Sequence, residues 1–488
     1  MNLNDVKGVD FTGNKKLARF NGRILLLGFG GVGQTMLPMI LRHLAIDPRK
    51  VTVLEKDNHL ELFHKKYGRS GVKYIIKEVV KDNMENILSQ FVKQGDMIIN
   101  LSLNIDGIEI VTWCLEHGVL YTDTSIERWP DEPDETIPNM ADRTLYITHS
   151  KIRAVTEPWK NKGPTALVTN GANPGLVSQF TKAALLDIAN AMNLDFDVPQ
   201  SREEWATLMM KTGTKVVHIA ERDTQVIDKP KMKGEFVNTW SCEGFWAEGR
   251  APSELGWGTH ERSSPVDGYI HREGPGNAAY LKSPGVATLA KSWVPKGGSY
   301  NGFVVQHSES VTMSDYFTLT NPDGYPLYRP TVNYVYCPCD AALASVHEFR
   351  GRELRIQDKK RIVKTEIVSG IDELGVLLLG HGMNGWWYGS QMSIQEATAV
   401  MPGEGPTTIQ VVANMLAGIV WMIQNPRMGY VEPEDLPFDF ILNLAMPFLG
   451  TMASVPTTWT PLGDRSSLFK VDVDPRHPWR FENFRVIS

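Results

Sequence analysis

The chain is 488 residues long, with 42% hydrophobic and 22% charged residues and a formal net charge of −6. That length exceeds what one hydrophobic core normally serves, so two or three domains are expected of an otherwise ordinary globular protein. The acidic balance disfavours a polyanionic partner, and nucleic acid is set aside.

The opening stretch, MNLNDVKGVDFTGNKKLARF, lacks the apolar core of a signal peptide. No apolar run approaches the ~20 residues that span a bilayer, so a cytoplasmic protein with no membrane partner is expected. Residues 23–33, RILLLGFGGVG, read as a strand running into Gly28-x-Gly30-x-x-Gly33, and QTMLPMILRHLA continues as a helix. A second strand at 50–57 places Glu55 at its end, 22 residues beyond Gly33, where a dinucleotide fold keeps the acid for the adenosine ribose. Gly28, Gly30, Gly31, Val32 and Gly33 are then the phosphate turn, and Glu55 favours NAD over NADP by accepting from a 2′-hydroxyl and repelling a 2′-phosphate. Lys56 beside it pulls the other way.

Strands follow at KYIIKEVV, 95–103 and 119–125, with helices near 83–93 and 107–117 between them. Such alternation implies a doubly wound parallel sheet of the Rossmann type, with ligands beyond the carboxyl ends of its strands. Asn100, Ser102, Asp123, Thr124, Ser125 and Glu127 are expected at that mouth. TALVT (165–169) then runs into NGANPG, where Asn173 is held extended by Pro174 and is either a ring-facing amide or a turn asparagine.

From about 200 to 400 the texture becomes strand-like and aromatic, which predicts a second α+β domain on a mixed or antiparallel sheet. Pro406 and Thr407 introduce a helix that ends before Pro426 and is expected to return to the nucleotide domain. The proline-containing tail from 455 reads as an extended arm. The expected division is 1–170, 171–400 and 401–488. Cys337-Pro-Cys339 lacks the spacing and second ligand pair of a zinc site, so no metal is expected, and four cysteines in so long a chain suit a reducing compartment.

The stretch 238–261, NTWSCEGFWAEGRAPSELGWGTHE, gathers Trp240, Trp246 and Trp257 with Glu243, Glu248, Glu254 and Glu261, opposed by Arg250. A tryptophan face with a carboxylate holds an organic cation, although the same residues also suit a core with solvated acids. By pattern alone, Glu221 before Arg222 reads equally as a surface ion-pair member, His307 on FVVQHS as a core histidine, and Asp372 in GIDELG as a helix cap.

GFGGVGQTMLP (28–38), DTSIERW (123–129), NGANPGLVSQF (170–180), HIAERDTQ (218–225), NTWSCEGFWAEG (238–249), VVQHSES (304–310) and SGIDELGVLL (369–378) together resemble the bacterial homospermidine synthase family, which is similar in structure to the saccharopine dehydrogenase group. The resemblance covers nearly the whole chain. It implies a retained NAD that takes hydride beside a putrescine amine, imine exchange with a second putrescine, loss of ammonia, and reduction to sym-homospermidine. Spermidine is a second candidate donor, and a homodimer is implied.

Carried over by that resemblance, Glu127 and Glu248 surround the reaction zone, and Glu221 and Asp372 hold amino ends and exchange protons. Asn173 with Pro174 bridges cofactor and substrate, Trp240 faces the cationic intermediate, and His307 completes the pocket. Trp246 and Trp257 are read as core. The alternatives are a saccharopine- or carboxynorspermidine-type dehydrogenase, which needs arginines gripping substrate carboxylates, and a non-catalytic dinucleotide sensor, which needs none of the second-domain acids.

Overall fold

The computed structural model describes residues 16–129, 139–463, 465 and 472–486. Most of the opening stretch read for a signal peptide lies outside the described residues. Two large sheets organise the molecule.

The first is wholly parallel and seven-stranded. Its spatial order is Tyr430–Val431, Ala166–Leu167, Leu120–Asp123, Met97–Asn100, Ile24–Leu27, Val51–Glu55 and Lys73–Ile76. Counted in chain order from the last strand inward, the first six follow the doubly wound nucleotide-binding arrangement. The strands ILLL and MIIN are buried at every position because helices cover both faces. Gly28 ends the first strand at φ +90°, and a Cβ there would lie 2.6 Å from the Leu101 carbonyl oxygen. Only glycine serves that turn. The helix Gly31–His43 follows immediately and runs through Pro38.

The second sheet is mixed and ten-stranded. At its centre Val216–Asp223 pairs in parallel with Thr331–Cys337 and antiparallel with Ile371–His381. This register sets Tyr336 opposite Glu221, and Asp372 opposite Asp223. Side chains alternate along a strand, so Glu221 and Asp223 share one face with their cross-strand partners.

Residues beyond 401 divide between the two sheets. The helix Pro406–Gln424 packs against Gly31–His43, Tyr430–Val431 adds the outermost strand of the first sheet, and Met452–Thr457 pairs with Asn384–Ser393 at the edge of the second. The tail from 455 therefore begins inside a strand of its own chain. Trp479, Phe481 and Phe484 are buried against the same chain's second sheet, so the described part of the tail is not an outlying arm. The helix Pro406–Gln424 is also long and apolar enough to cross a membrane, contrary to the sequence expectation, yet 89% of its apolar window is buried inside the fold. Its apolarity is that of a central core helix.

Candidate active site

At the mouth of the first sheet, the three fingerprint glycines differ in what surrounds them. A Cβ on Gly33 would meet the Gly28 carbonyl oxygen at 2.3 Å, whereas one on Gly30 would have nothing within 4 Å. Gly33 thus lets helix and strand close together, and Gly30 leaves space above the helix amino end. That combination fits a dinucleotide pyrophosphate. Glu55 accepts from the backbone N–H groups of Phe29 (2.5 Å), Lys56 (2.7 Å) and Asp57 (3.1 Å). The acid therefore shapes the turn as well as supplying the negative charge that opposes a 2′-phosphate.

The neighbouring strand ends are tied to one another. Asn100 donates to the Tyr121 hydroxyl at 3.2 Å, Tyr121 donates to Asp123 Oδ2 at 2.8 Å, and Asp123 Oδ1 accepts from the Thr169 amide. Burial raises Asp123 to about 7. Asn100 Oδ1 accepts from the Ser102 amide, Thr124 lies beside Gly171, and Ser125 donates to Glu127 Oε1 at 2.8 Å. Asn100 and Asp123 thus hold the mouth's frame, and Glu127, raised by burial, is held beside it by Ser125 and the Asn104 backbone. A missed contribution comes from the second domain: Lys364 Nζ reaches the Gly31 carbonyl oxygen (3.2 Å) and Glu404 (2.5 Å), while Thr35 donates to the same Glu404 oxygen.

The peptide bond Asn173–Pro174 is cis. The turn carrying it is held from the helix Pro406–Gln424, where Asn414 donates to Asn170 Oδ1 and to the Gly171 carbonyl. Asn173 Nδ2 donates to Glu221 Oε2 at 2.8 Å, joining the nucleotide side to the second sheet. Burial raises Glu221 to about 7, opposed by its hydrogen bonds from Tyr334 and Asn173.

Trp240 precedes the helix Cys242–Arg250, whose Ser241 hydroxyl accepts from the Gly244 amide as a cap. A Cβ at Gly244 would approach the Trp240 ring to 2.9 Å, so glycine lets the indole lie against the helix. Its Nε1 donates to the Tyr336 hydroxyl at 3.0 Å. Eight residues on, Glu248 lies 3.9 Å from His307 Nε2, and its Oε2 is buried with no hydrogen-bond partner among the described residues. Burial, countered by His307 and reinforced by Glu127, Glu221 and Glu309, raises Glu248 to about 8.

His307 is not on the apolar strand, which ends at Phe303; it caps the helix Ser308–Tyr316 in extended conformation. Its Nδ1 lies 2.5 Å from Glu309 Oε2. Burial alone would lower the imidazole, but the charge and hydrogen bond of Glu309, with Glu248 and Glu221, raise it to about 9. Asp372 belongs to the strand Ile371–His381 and caps no helix. It accepts from Thr407 at 2.5 Å, its Oδ1 is buried without a partner among the described residues, and burial, with Glu221 and Asp223, raises it well above the carboxylate range.

The structure therefore joins Glu127, Asn173, Glu221, Glu248, His307 and Asp372 through contacts or mutual charge, and ties Trp240 to them only by way of Tyr336. The remaining acids of 238–261 go elsewhere. Glu243 pairs with Lys360 at 2.9 Å, Glu254 accepts the amides of Leu145 and Tyr146 at 2.8 Å, and Glu261 accepts from Thr331 and Phe481. Arg250 stacks over Trp246 at 4.0 Å, while Trp257 is buried. Sequence reasoning missed Tyr334, Tyr336, Asp223, Glu309 and Thr407. Two residues of TVNYVYC alternate onto Glu221's face, a strand-period signal that could have raised both tyrosines.

Over 477 residues the chain is 42% identical to the homospermidine synthase of Blastochloris viridis, covering 96% of this chain and 98% of that one. The chain belongs to the homospermidine synthase family. The Mesorhizobium japonicum homospermidine synthase is 39% identical, with 95% and 96% covered. A solved structure of the Legionella pneumophila homospermidine synthase in complex with NAD superposes with TM-score 0.88 at 39% identity, over 96% of this chain and 98% of that one. Residues 24–167 match the saccharopine dehydrogenase NADP binding domain, and residues 171–457 match the saccharopine dehydrogenase C-terminal domain. Like other homospermidine synthases, the chain is an aminobutyl transferase, and its two large sheets carry the α/β architecture that the alternating pattern implied.

Proposed function

We propose that the chain converts two putrescine molecules to sym-homospermidine and ammonia through an imine, with retained NAD and no net redox change. The supporting observation is the site's charge. Four carboxylates, Glu127, Glu221, Glu248 and Asp372, converge with one imidazole, and the Trp240 indole joins them through Tyr336. The nearby arginines are otherwise engaged, Arg222 with the Gly297 carbonyl and Arg250 over Trp246. Such a lining selects ammonium ends over the α-carboxylates a saccharopine-type dehydrogenase must grip.

The turn 28–33, Glu55 and Asn173 would hold the cofactor, and bound NAD supplies a hydride sink and, once reduced, the matching source. Glu221 and Asp372 hold the terminal amino groups and exchange protons with them. Trp240 offers its face to the cationic, imine-bearing chain, a contact of roughly 1–2 kcal/mol when desolvated. Glu248 takes and returns the protons that imine exchange requires, since its raised proton affinity places it near the operating pH. His307, kept charged by Glu309, balances the acids around it. Burial of Glu221, His307 and Asp372 limits access of bulk water to the imine.

We further propose a nucleotide unit to residue 170 and an amine unit over 171–400, with the chain beyond 401 serving both. A cytoplasmic homodimer is part of the same reading, supported for the compartment by four free cysteines. Purified protein given putrescine and trace NAD should make homospermidine over many turnovers per NAD without accumulating NADH. Product limited to the NAD supplied would overturn the reading in favour of a conventional dehydrogenase.

A further inference from the structure

Tyr334 lies on the strand Thr331–Cys337, two residues before the tyrosine that receives the Trp240 indole N–H. Its hydroxyl donates to Glu221 Oε2 at 2.6 Å, and Asn173 Nδ2 donates to the same oxygen at 2.8 Å. Among the described residues none donates to Oε1. The Tyr334 ring is 2% exposed, stacks on Tyr336 at 5.3 Å and 16°, and meets His307 edge-on at 4.7 Å. The ring is therefore packed by two neighbouring rings, which limits the freedom of its hydroxyl to turn from Glu221.

Two donors on one carboxylate oxygen have a chemical consequence. An oxygen already accepting two hydrogen bonds is the poorer place for a proton, so the proton Glu221 exchanges belongs on Oε1. Each donor also favours the ionised acid, opposing the burial that raises it. We propose that Tyr334 is a positioning residue that directs the exchangeable proton of Glu221 to Oε1 and favours the ionised form of that acid. The role of Glu221 in proton exchange rests on the aminobutyl-transfer reading; the effect of Tyr334 on its titration does not.

Other ionisable groups also act on Glu221. Asp223 stands on its own strand, Asp372 on the next, Glu248 on the helix Cys242–Arg250 and His307 at the start of Ser308–Tyr316; Tyr300 and Tyr336 add two phenols. A useful test must change the phenol donor and leave these in place. Tyr334→Phe removes the donor, and 3-fluorotyrosine at position 334 strengthens it with almost no change of shape. In the NAD-loaded protein the Glu221 carboxyl is followed by carbon-13 NMR titration, assigned by the signal lost in Glu221→Gln.

The expected result is a midpoint raised by about half to one pH unit in Tyr334→Phe and lowered by the fluorinated residue. Tyr336→Phe, which loses the indole partner but no donor to Glu221, should leave the midpoint within a few tenths of a unit. The acidic limb of kcat should move with the titration while KM for putrescine stays within about twofold. An unmoved midpoint in Tyr334→Phe, or shifts of the same sign in both Tyr334 replacements, would overturn the proposal. Should the phenylalanine variant not fold, the fluorinated protein alone decides by the sign of its shift. Absence of homospermidine from the wild-type protein would instead sink the aminobutyl-transfer reading, with the titration result standing by itself.

Discussion

The glycine turn and the acid cluster are built in opposite ways. Gly28 to Gly33 form one contiguous turn, and its close approaches at Gly28 and Gly33 follow from missing side chains. The acid cluster draws Glu127, Asn173, Glu221, Trp240, Glu248, His307 and Asp372 from stretches spread over 246 residues, and its chemistry follows from side chains brought close by sheet register. Backbone sites therefore fail when the chain can no longer make a turn. Side-chain sites fail one functional group at a time.

Glu248→Gln should break the second region most sharply, lowering kcat roughly 10²- to 10⁴-fold while the protein still binds NAD, as equilibrium dialysis would check. Gly28→Ala should break the first region instead. A methyl 2.6 Å from the Leu101 carbonyl, at φ +90°, strains the turn by about 1–3 kcal/mol, so NAD retention on gel filtration should fall before amine chemistry does. If both variants lost NAD equally, the two regions would not be separable.

Trp240 gives a finer probe. Trp240→Ala should cost roughly 10- to 30-fold in kcat/KM, and Trp240→Phe should keep more activity because it retains a ring face while losing the bond to Tyr336. Equal losses would argue that the indole N–H, not its face, matters.

The pH response separates the regions again. Glu221, Glu248 and Asp123 have folded proton affinities raised to about 7, 8 and 7, so in the folded chain they bind protons between pH 9 and 7 while the unfolded chain leaves them ionised. Stability of the ligand-free protein should therefore rise as pH falls from 9 to 7. His307, raised to about 9, adds in the same direction. Putrescine supplies the missing positive charge, and its stabilising effect on Tm should be larger at pH 9 than at pH 7.

The smallest catalytic effect should come from Glu254→Gln. That acid shares the tryptophan-rich stretch with Glu248 but accepts the first amides of the helix Leu145–Thr156. Its replacement should cost about 1–2 kcal/mol of stability, seen as a lower Tm, with kcat within about twofold of wild type.

Much of the fold was legible because its signals are local. An apolar run, a glycine spacing and an acid at a strand end specify the nucleotide mouth through steric rules that hold wherever they occur. The aromatic, strand-like texture of 200–400 likewise announced a second sheet. Local signals misled where the same residues serve two purposes. Asp372 resembled a helix cap because Asp–Glu pairs often are, and the helix Pro406–Gln424 escaped notice as a candidate span because threonine, glutamine and asparagine interrupt its apolar run.

By itself the sequence determined the parallel sheet, the glycine turn at its mouth, the cofactor NAD and, through seven ordered motifs, the family. Only the tertiary structure decided which of four glutamates in one short stretch stands beside His307, because a lysine, backbone amides and a threonine hydroxyl claim Glu243, Glu254 and Glu261. It also brought Tyr334 and Tyr336 beside Glu221, a juxtaposition that arises from the parallel register of two strands more than a hundred residues apart. Charge, burial and hydrogen bonding act through space, so the proton affinities on which catalysis depends are properties of that packing and of no single motif.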